Sequence, residues 1–193
     1  MKRLKQIYIL VIMVAMVICS TSGLAGPPVT KEDAMVILRD NVSEPKVSAT
    51  ASGMAPPGLK YDYAITGFSD SQEITGSMVI HLYDAKTMEG DDGLYKTAQD
   101  YFSRRKGATI NAGKRSGRTE VEEISGIGDS AYWAPNSHTL HFISQGTYVT
   151  IKINDLTRFS GADRSELDNK MSAHRKQLAE KIAQLIIPQL YVN

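Results

Sequence analysis

The chain has 193 residues, of which 42% are hydrophobic and 22% charged, with a formal net charge of +1 and a single cysteine. That length and balance suit one globular domain with its own core. One cysteine excludes a disulfide framework, and the near-neutral charge argues against nucleic acid as a partner.

Residues 1–25 stand apart. Lys2, Arg3 and Lys5 precede a nearly all-apolar run from Ile7 to Ile18, and small and polar residues then lead to Gly23, Leu24 and Ala25. This order is that of a secretory signal peptide cleaved after Ala25. The alternative is an inner-membrane anchor through residues 7–25, but the apolar run falls short of the about 20 residues that span a bilayer. The bulky Ile18 before Cys19 disfavours lipidation there. Without this segment the chain carries 19 basic and 21 acidic residues and no cysteine. The expectation is an exported protein, periplasmic or extracellular, that stands on its core alone. Residues 26–29 read as a linker and residues 30–193 as a single domain.

Thr30 is a helix cap, with Glu32 and Asp33 at the positive end of the helix dipole. Ala34, Ile37, Leu38 and Val42 give that helix one apolar face. Ser43 to Gly58 reads as loop because of Pro45, Pro56, Pro57 and Gly58. In the next two segments, Tyr61 to Gly67 and Glu73 to Tyr83, alternation predicts a strand hairpin with one buried face. A second helix is predicted from Asp91-Asp92-Gly93 to Lys106, with Leu94, Ala98, Tyr101 and Phe102 as its stripe and Gly107 ending it. Residues 108–119 carry no clear pattern. A three-stranded meander follows: Ser130 to Ala134, His138 to Ile143 and Thr147 to Asn154, with turns at Pro135-Asn136-Ser137 and Gln145-Gly146. Phe159 to Asn169 reads as loop. The last helix runs from about Lys170 to Ile187, with Ala179, Ile182, Ala183 and Ile186 facing in and Pro188 ending it. The fold class is α+β: an antiparallel sheet of about five strands with three helices covering its apolar face.

Few residues suggest chemistry. Gly126-Ile127-Gly128 would cradle a phosphate only if a helix began after it, and strand sequence follows instead. Gly128-Asp129-Ser130 resembles the nucleophile block of GDSL-type esterases. There the block lies near the mature N-terminus and an Asp-x-x-His pair lies near the C-terminus. Here the late histidine is His174, with Met171 three residues before it, so Ser130 lacks a positioned base. His138 and His141 are three apart on a strand and point to opposite faces, and Glu89 to Gly93 lacks the alternating ligands of a calcium loop. No metal and no cofactor is implied. Arg104, Arg105, Lys106, Lys114, Arg115 and Arg118 form an acid-free run. They are candidate binding residues for an anionic lipid or cell-wall polymer, with Glu120, Glu122 and Glu123 opposing them. Asp129, Tyr132 and Trp133 are the remaining candidates. Tyr132 and Trp133 fall on opposite faces of one strand, so one of the two is expected to be buried; Trp133 as a packing anchor competes with an exposed platform that it forms with Tyr132.

Several segments together resemble a known family. They are Thr30-Lys31-Glu32-Asp33-Ala34, Ile37-Leu38, Val42-Ser43-Glu44-Pro45, Tyr61-Asp62-Tyr63, Ile127 to Trp133 and Leu178 to Ala183. In this order the chain resembles small exported bacterial domains of the PknH-type sensor ectodomain and related lipoproteins. The resemblance implies an α+β sandwich, PsbP-like in style, and binding or sensing rather than catalysis. It supplies no ligand and no catalytic residue. The expected function is thus a non-catalytic binding, sensing or interaction domain of the cell envelope, with an envelope protein, anionic lipid or cell-wall polymer as partner. The alternatives are a hydrolase with a dispersed site using Ser130, and an envelope structural protein held by its N-terminal helix.

Overall fold

The computed structural model describes residues 26–52, 55–69, 72–83, 97–116, 121–159 and 163–191. Residues 1–25, where a signal peptide is expected, Asp91-Asp92-Gly93, where the second helix is expected to start, and Arg118 lie outside those residues.

Thr30 caps helix α1, Lys31–Leu38: its hydroxyl accepts from the Asp33 N–H at 3.1 Å and donates to the Asp33 carboxylate at 2.7 Å. Arg39 then turns left-handed, at φ 59°, and its N–H closes on the Met35 carbonyl. This stop removes Val42 from the helix where its spacing had placed it. Val42 belongs to strand β1, Asn41–Val42, and is buried there.

The expected loop Ser43 to Gly58 is mostly strand. β1 and β2, Lys46–Ser52, run in line along one edge of β3, Ala55–Ser69, which pairs on its other side with β4, Gln72–Tyr83. Pro45 sits in the break between the two edge strands. Pro56 and Pro57 sit in β3 before Leu59, where its pairing with β4 begins. Proline is tolerated in a strand at such free edges and irregularities.

Helix α2, Ala98–Ser116, passes straight through Gly107 and takes in most of the segment that had no pattern. The short strand β5, Glu122–Ile124, precedes the meander β6, Ser130–Ala134, β7, Thr139–Ser144, and β8, Thr147–Asn154. Helix α3, Arg164–Ile186, starts well before Lys170 because the Asp163 carboxylate caps it, accepting from the Glu166 N–H at 2.8 Å. Pro188 does not stop the chain abruptly; a 3-10 turn, Ile187–Tyr191, continues it.

The class is α+β, with three helices and an antiparallel sheet of eight strands in the order β1-β3-β4-β8-β7-β6-β5, β2 also lying on β3. The expected hairpin and meander are its centre, and β1, β2 and β5 extend its edges. The helices do not share one face. Trp133, Leu140, Ile151, Ile80 and Tyr61 stand side by side across the sheet beneath Leu178, Ile182 and Ile186 of α3 and Ala34 of α1. On the opposite face Tyr132, Ile143, Tyr148 and Tyr83 pack beneath Ala98, Tyr101 and Phe102 of α2. This second layer corrects the reading of a single covered face. It also explains why Tyr132 and Trp133 are both 0% exposed: each meets a different helix, and neither forms an exposed platform.

Candidate functional site

Strand register builds the site. Lys60, His81, Thr150, His141 and Tyr132 stand opposite one another across β3, β4, β8, β7 and β6. With strands about 4.8 Å apart, they make a strip of polar and aromatic groups on the α2 face. The first turns of α2 fill the space above its neighbours with Tyr101 and Phe102. Later turns bring Arg105, Ala108, Thr109, Ala112 and Gly113 to the same side, at the spacing of one helix face. Such small side chains cannot close the gap between helix and sheet. A cleft of about 580 Å³ remains, rimmed by Val121 and the turn Pro135–Ser137. That volume lies within the range of small-molecule sites, roughly 300–1,000 Å³.

The floor is a paired network. His141 Nδ1 and the Tyr148 hydroxyl are 2.6 Å apart, and His81 Nδ1 and the Tyr83 hydroxyl 2.7 Å. Tyr132 stacks on His141 with ring centroids at 4.5 Å, and Tyr83 stacks on Tyr148 at 5.2 Å. Burial, then the Arg105 charge, pushes the His141 imidazole down to about 3. Burial and then the Lys60 charge lower His81 as well. Burial pushes the Tyr83 and Tyr132 hydroxyls up to about 12, and Tyr148 well above its ordinary value. At neutral pH these groups are uncharged, so each His–Tyr contact joins a neutral imidazole to a protonated phenol. The Tyr132 hydroxyl is buried beside the Thr109 and Tyr148 hydroxyls, and hydrogen bonding to them partly offsets the effect of burial.

No family model, curated protein or solved structure matches the chain. The arrangement of the residues themselves must carry the functional reading.

The sequence-picked residues scatter. Asp129 ties a turn: its N–H donates to the Ile143 carbonyl at 2.8 Å and its carboxylate accepts from the Gln145 N–H at 3.0 Å. Gly126 and Gly128 adopt positive φ, and a Cβ on Gly128 would run into the Ile143 carbonyl oxygen, so the Gly-Ile-Gly stretch is a tight approach between strands. Trp133 is sealed under α3, its indole N–H donating to the Ser172 hydroxyl at 3.0 Å. Arg104 pairs with Asp100, and Lys106 with Glu123. Lys114 and Arg115 are exposed at the end of α2. These cations are spread around the helix rather than gathered in one stripe. Among the described candidates Arg105 lines the cleft, and Tyr132 lies buried against His141 of its floor. His81, His141, Tyr83, Tyr148, Thr150 and Lys152 were not picked out; the only signal available was that they occupy the outward-reading positions of their strands.

A second polar cluster lies under α3. The Asp155 carboxylate, 1% exposed, accepts from Arg175 Nε and contacts His174 Nε2, both at 3.0 Å. The backbone N–H of Thr157 donates to it at 3.2 Å. Arg175 also contacts His138 Nδ1 at 2.8 Å. Burial pushes the Asp155 carboxyl up, but the hydrogen bonds from Thr157 and Arg175 and the charges of His174 and Arg175 prevail and hold it below its ordinary value. This cluster fastens α3 to the end of β8. A relay to a nucleophile needs the carboxylate and the nucleophile on different ring nitrogens; here the Thr157 hydroxyl and Asp155 share His174 Nε2.

Proposed function

We propose that the chain is an exported, non-catalytic binding or sensing domain of the bacterial cell envelope, and that the cleft between α2 and the sheet is where it binds. The observation that carries this reading is a roomy cleft floored by neutral, mutually satisfied His–Tyr pairs. Such a floor holds no charged group and no activated nucleophile. All four histidines are engaged with partners other than Ser130: His81 with Tyr83, His141 with Tyr148, His138 with Arg175 and His174 with Asp155. A serine hydrolase would need one of them beside the nucleophile. The resemblance to PknH-type sensor ectodomains points the same way. Export rests on residues 1–25, and removing them leaves the domain's grip on its N-terminus in place: the Val29 carbonyl accepts from the Tyr63 hydroxyl at 2.7 Å and the Pro28 carbonyl from the Gln189 side chain at 2.9 Å.

Amide shifts of the isotope-labelled protein should be followed as fractionated envelope extract is added: lipid, cell-wall fragments and small solutes in separate samples. The expected result is that one fraction perturbs Thr109, Gly113, Thr150 and their neighbours around the cleft. Perturbation confined to the Asp155 side of the sheet, or none from any fraction, would overturn the cleft as the binding site.

A further inference from the structure

The cleft has a chemical bias that its shape alone does not give. Two of its lining residues, Arg105 and Lys152, are cationic, and no aspartate or glutamate lines it among the described residues. Nearby cations are neutralised: Arg104 by Asp100, Lys106 by Glu123, and Lys60 by Asp62 at 2.9 Å. Arg105 and Lys152 form no ion pair among the described residues. Arg105 lines the cleft from α2, and its charge bears on Tyr83, Tyr132, His141 and Tyr148.

The floor complements those cations without cancelling them. Its imidazoles and phenols are uncharged, so no anion on the floor offsets the positive field of the two side chains. Thr109, Thr139 and Thr150 also line the cleft; the Thr109 and Thr139 hydroxyls donate to the Arg105 and Ser137 carbonyls and keep their acceptor capacity. Apolar residues line much of the rest: Ala108 and Ala112 from α2, and Val79 and Val121.

We infer that the cleft binds a small organic acid, with its carboxylate held by the Arg105 guanidinium and drawn in by Lys152 and its body against Ala108, Ala112, Val79 and Val121. This rests on the proposal that the cleft is the binding site. A carboxylate matches the planar donor fork of arginine, and the Thr109 and Thr139 hydroxyls, already donating to backbone carbonyls, can accept from a donor on the acid's body.

The test uses matched pairs of probes, 2-naphthoate with 2-naphthamide and 4-hydroxybenzoate with 4-hydroxybenzamide, titrated calorimetrically into the full chain. The expected result is that an acid binds about tenfold or more tightly than its amide, a difference of about 1.4 kcal/mol. Arg105→Gln should abolish that preference, and Lys152→Gln should weaken it and reduce its salt dependence. Both positions are exposed, so both variants should fold, which circular dichroism checks. Equal binding of acid and amide, a preference that survives Arg105→Gln, or no binding of any probe at millimolar concentration would each overturn the organic-acid assignment. A separate variant, Ala112→Trp, fills the cleft. If the probes bind it as well as the wild type, the cleft itself is the wrong site, and that failure is distinct from the failure of the charge argument.

Discussion

Trp133 and Tyr132 are adjacent in sequence and belong to two different cores, because a strand alternates its side chains and this sheet is covered on both sides. Trp133 contributes ring area under α3 and one hydrogen bond to Ser172. Truncating it to Ala should cost about 3–5 kcal/mol by loss of packing and creation of a cavity, measured as a drop in urea-unfolding free energy. Trp133→Phe keeps most of the ring area and should cost less; the part traceable to the lost N–H bond is about 1 kcal/mol. An unchanged urea midpoint for Trp133→Ala would remove Trp133 from the core. Asp129 illustrates the opposite outcome for a conspicuous residue. Its setting in Gly-Asp-Ser suggested chemistry, yet both its backbone and its carboxylate are occupied in joining the turn before β6 to the β7–β8 hairpin.

Helix α2 tests how far local pattern determines an element. Glycine commonly follows the last residue of a helix because it adopts left-handed backbone freely, and that rule placed the end at Gly107. The helix continues to Ser116, and a Cβ at Gly107 would meet nothing within 4 Å. Gly107 is therefore a plain helical glycine without a packing role, and Gly107→Ala should stabilise the protein by about 0.5–1 kcal/mol. A rise in urea midpoint checks this; a fall would mean that the glycine serves a contact or a backbone bend. The elements that sequence read well share a cause. β6 is bounded by the Gly128 turn and Pro135 and β8 follows the Gln145-Gly146 turn with alternation from Val149 to Ile153, and their bounds agree with expectation. Edge strands β1 and β2 were hidden by prolines that a free edge accommodates, and β5 is too short to show a period. The cleft was illegible for a different reason. Its histidines, tyrosines and threonines come from separate strands, and only the register that sets His81, Thr150 and His141 in one row makes them neighbours. Of its lining residues, sequence singled out Arg105 as a binding candidate, for a reason unrelated to a cleft.

A sheet sealed on both faces buries titratable groups, and this gives the protein a defined acid response. His141 is 6% exposed, with Tyr132, Tyr148 and the Arg105 charge about it. Its folded value is about 3 against an ordinary 6.5, so between those limits the unfolded chain binds a proton that the native state refuses. The stability that follows is fully present above pH 6.5 and is lost progressively as pH falls toward the folded value. One such group contributes a slope of about 1.4 kcal/mol per pH unit in that window. His81 and His138 are lowered by burial first and by neighbouring cations second, so they act in the same direction. Asp155 adds a later phase: its folded value lies below the ordinary 3.8, so its stabilisation persists above 3.8 and is lost only as pH falls below it. Urea unfolding at intervals from pH 7.5 to 4.5 should therefore show stability falling from about pH 6.5, before any carboxylate of ordinary pKa has titrated. His141→Asn places an amide near the position of Nδ1, where it can keep a hydrogen bond to Tyr148, and cannot take up the proton. Its curve should start lower at pH 7.5, because the stack on Tyr132 is lost, and should fall less steeply between pH 6 and 4.5. A wild-type curve that is flat across that range, or a variant curve of equal slope, would show that His141 takes its proton without unfolding the domain and that the floor of the cleft is more open to water than its burial implies.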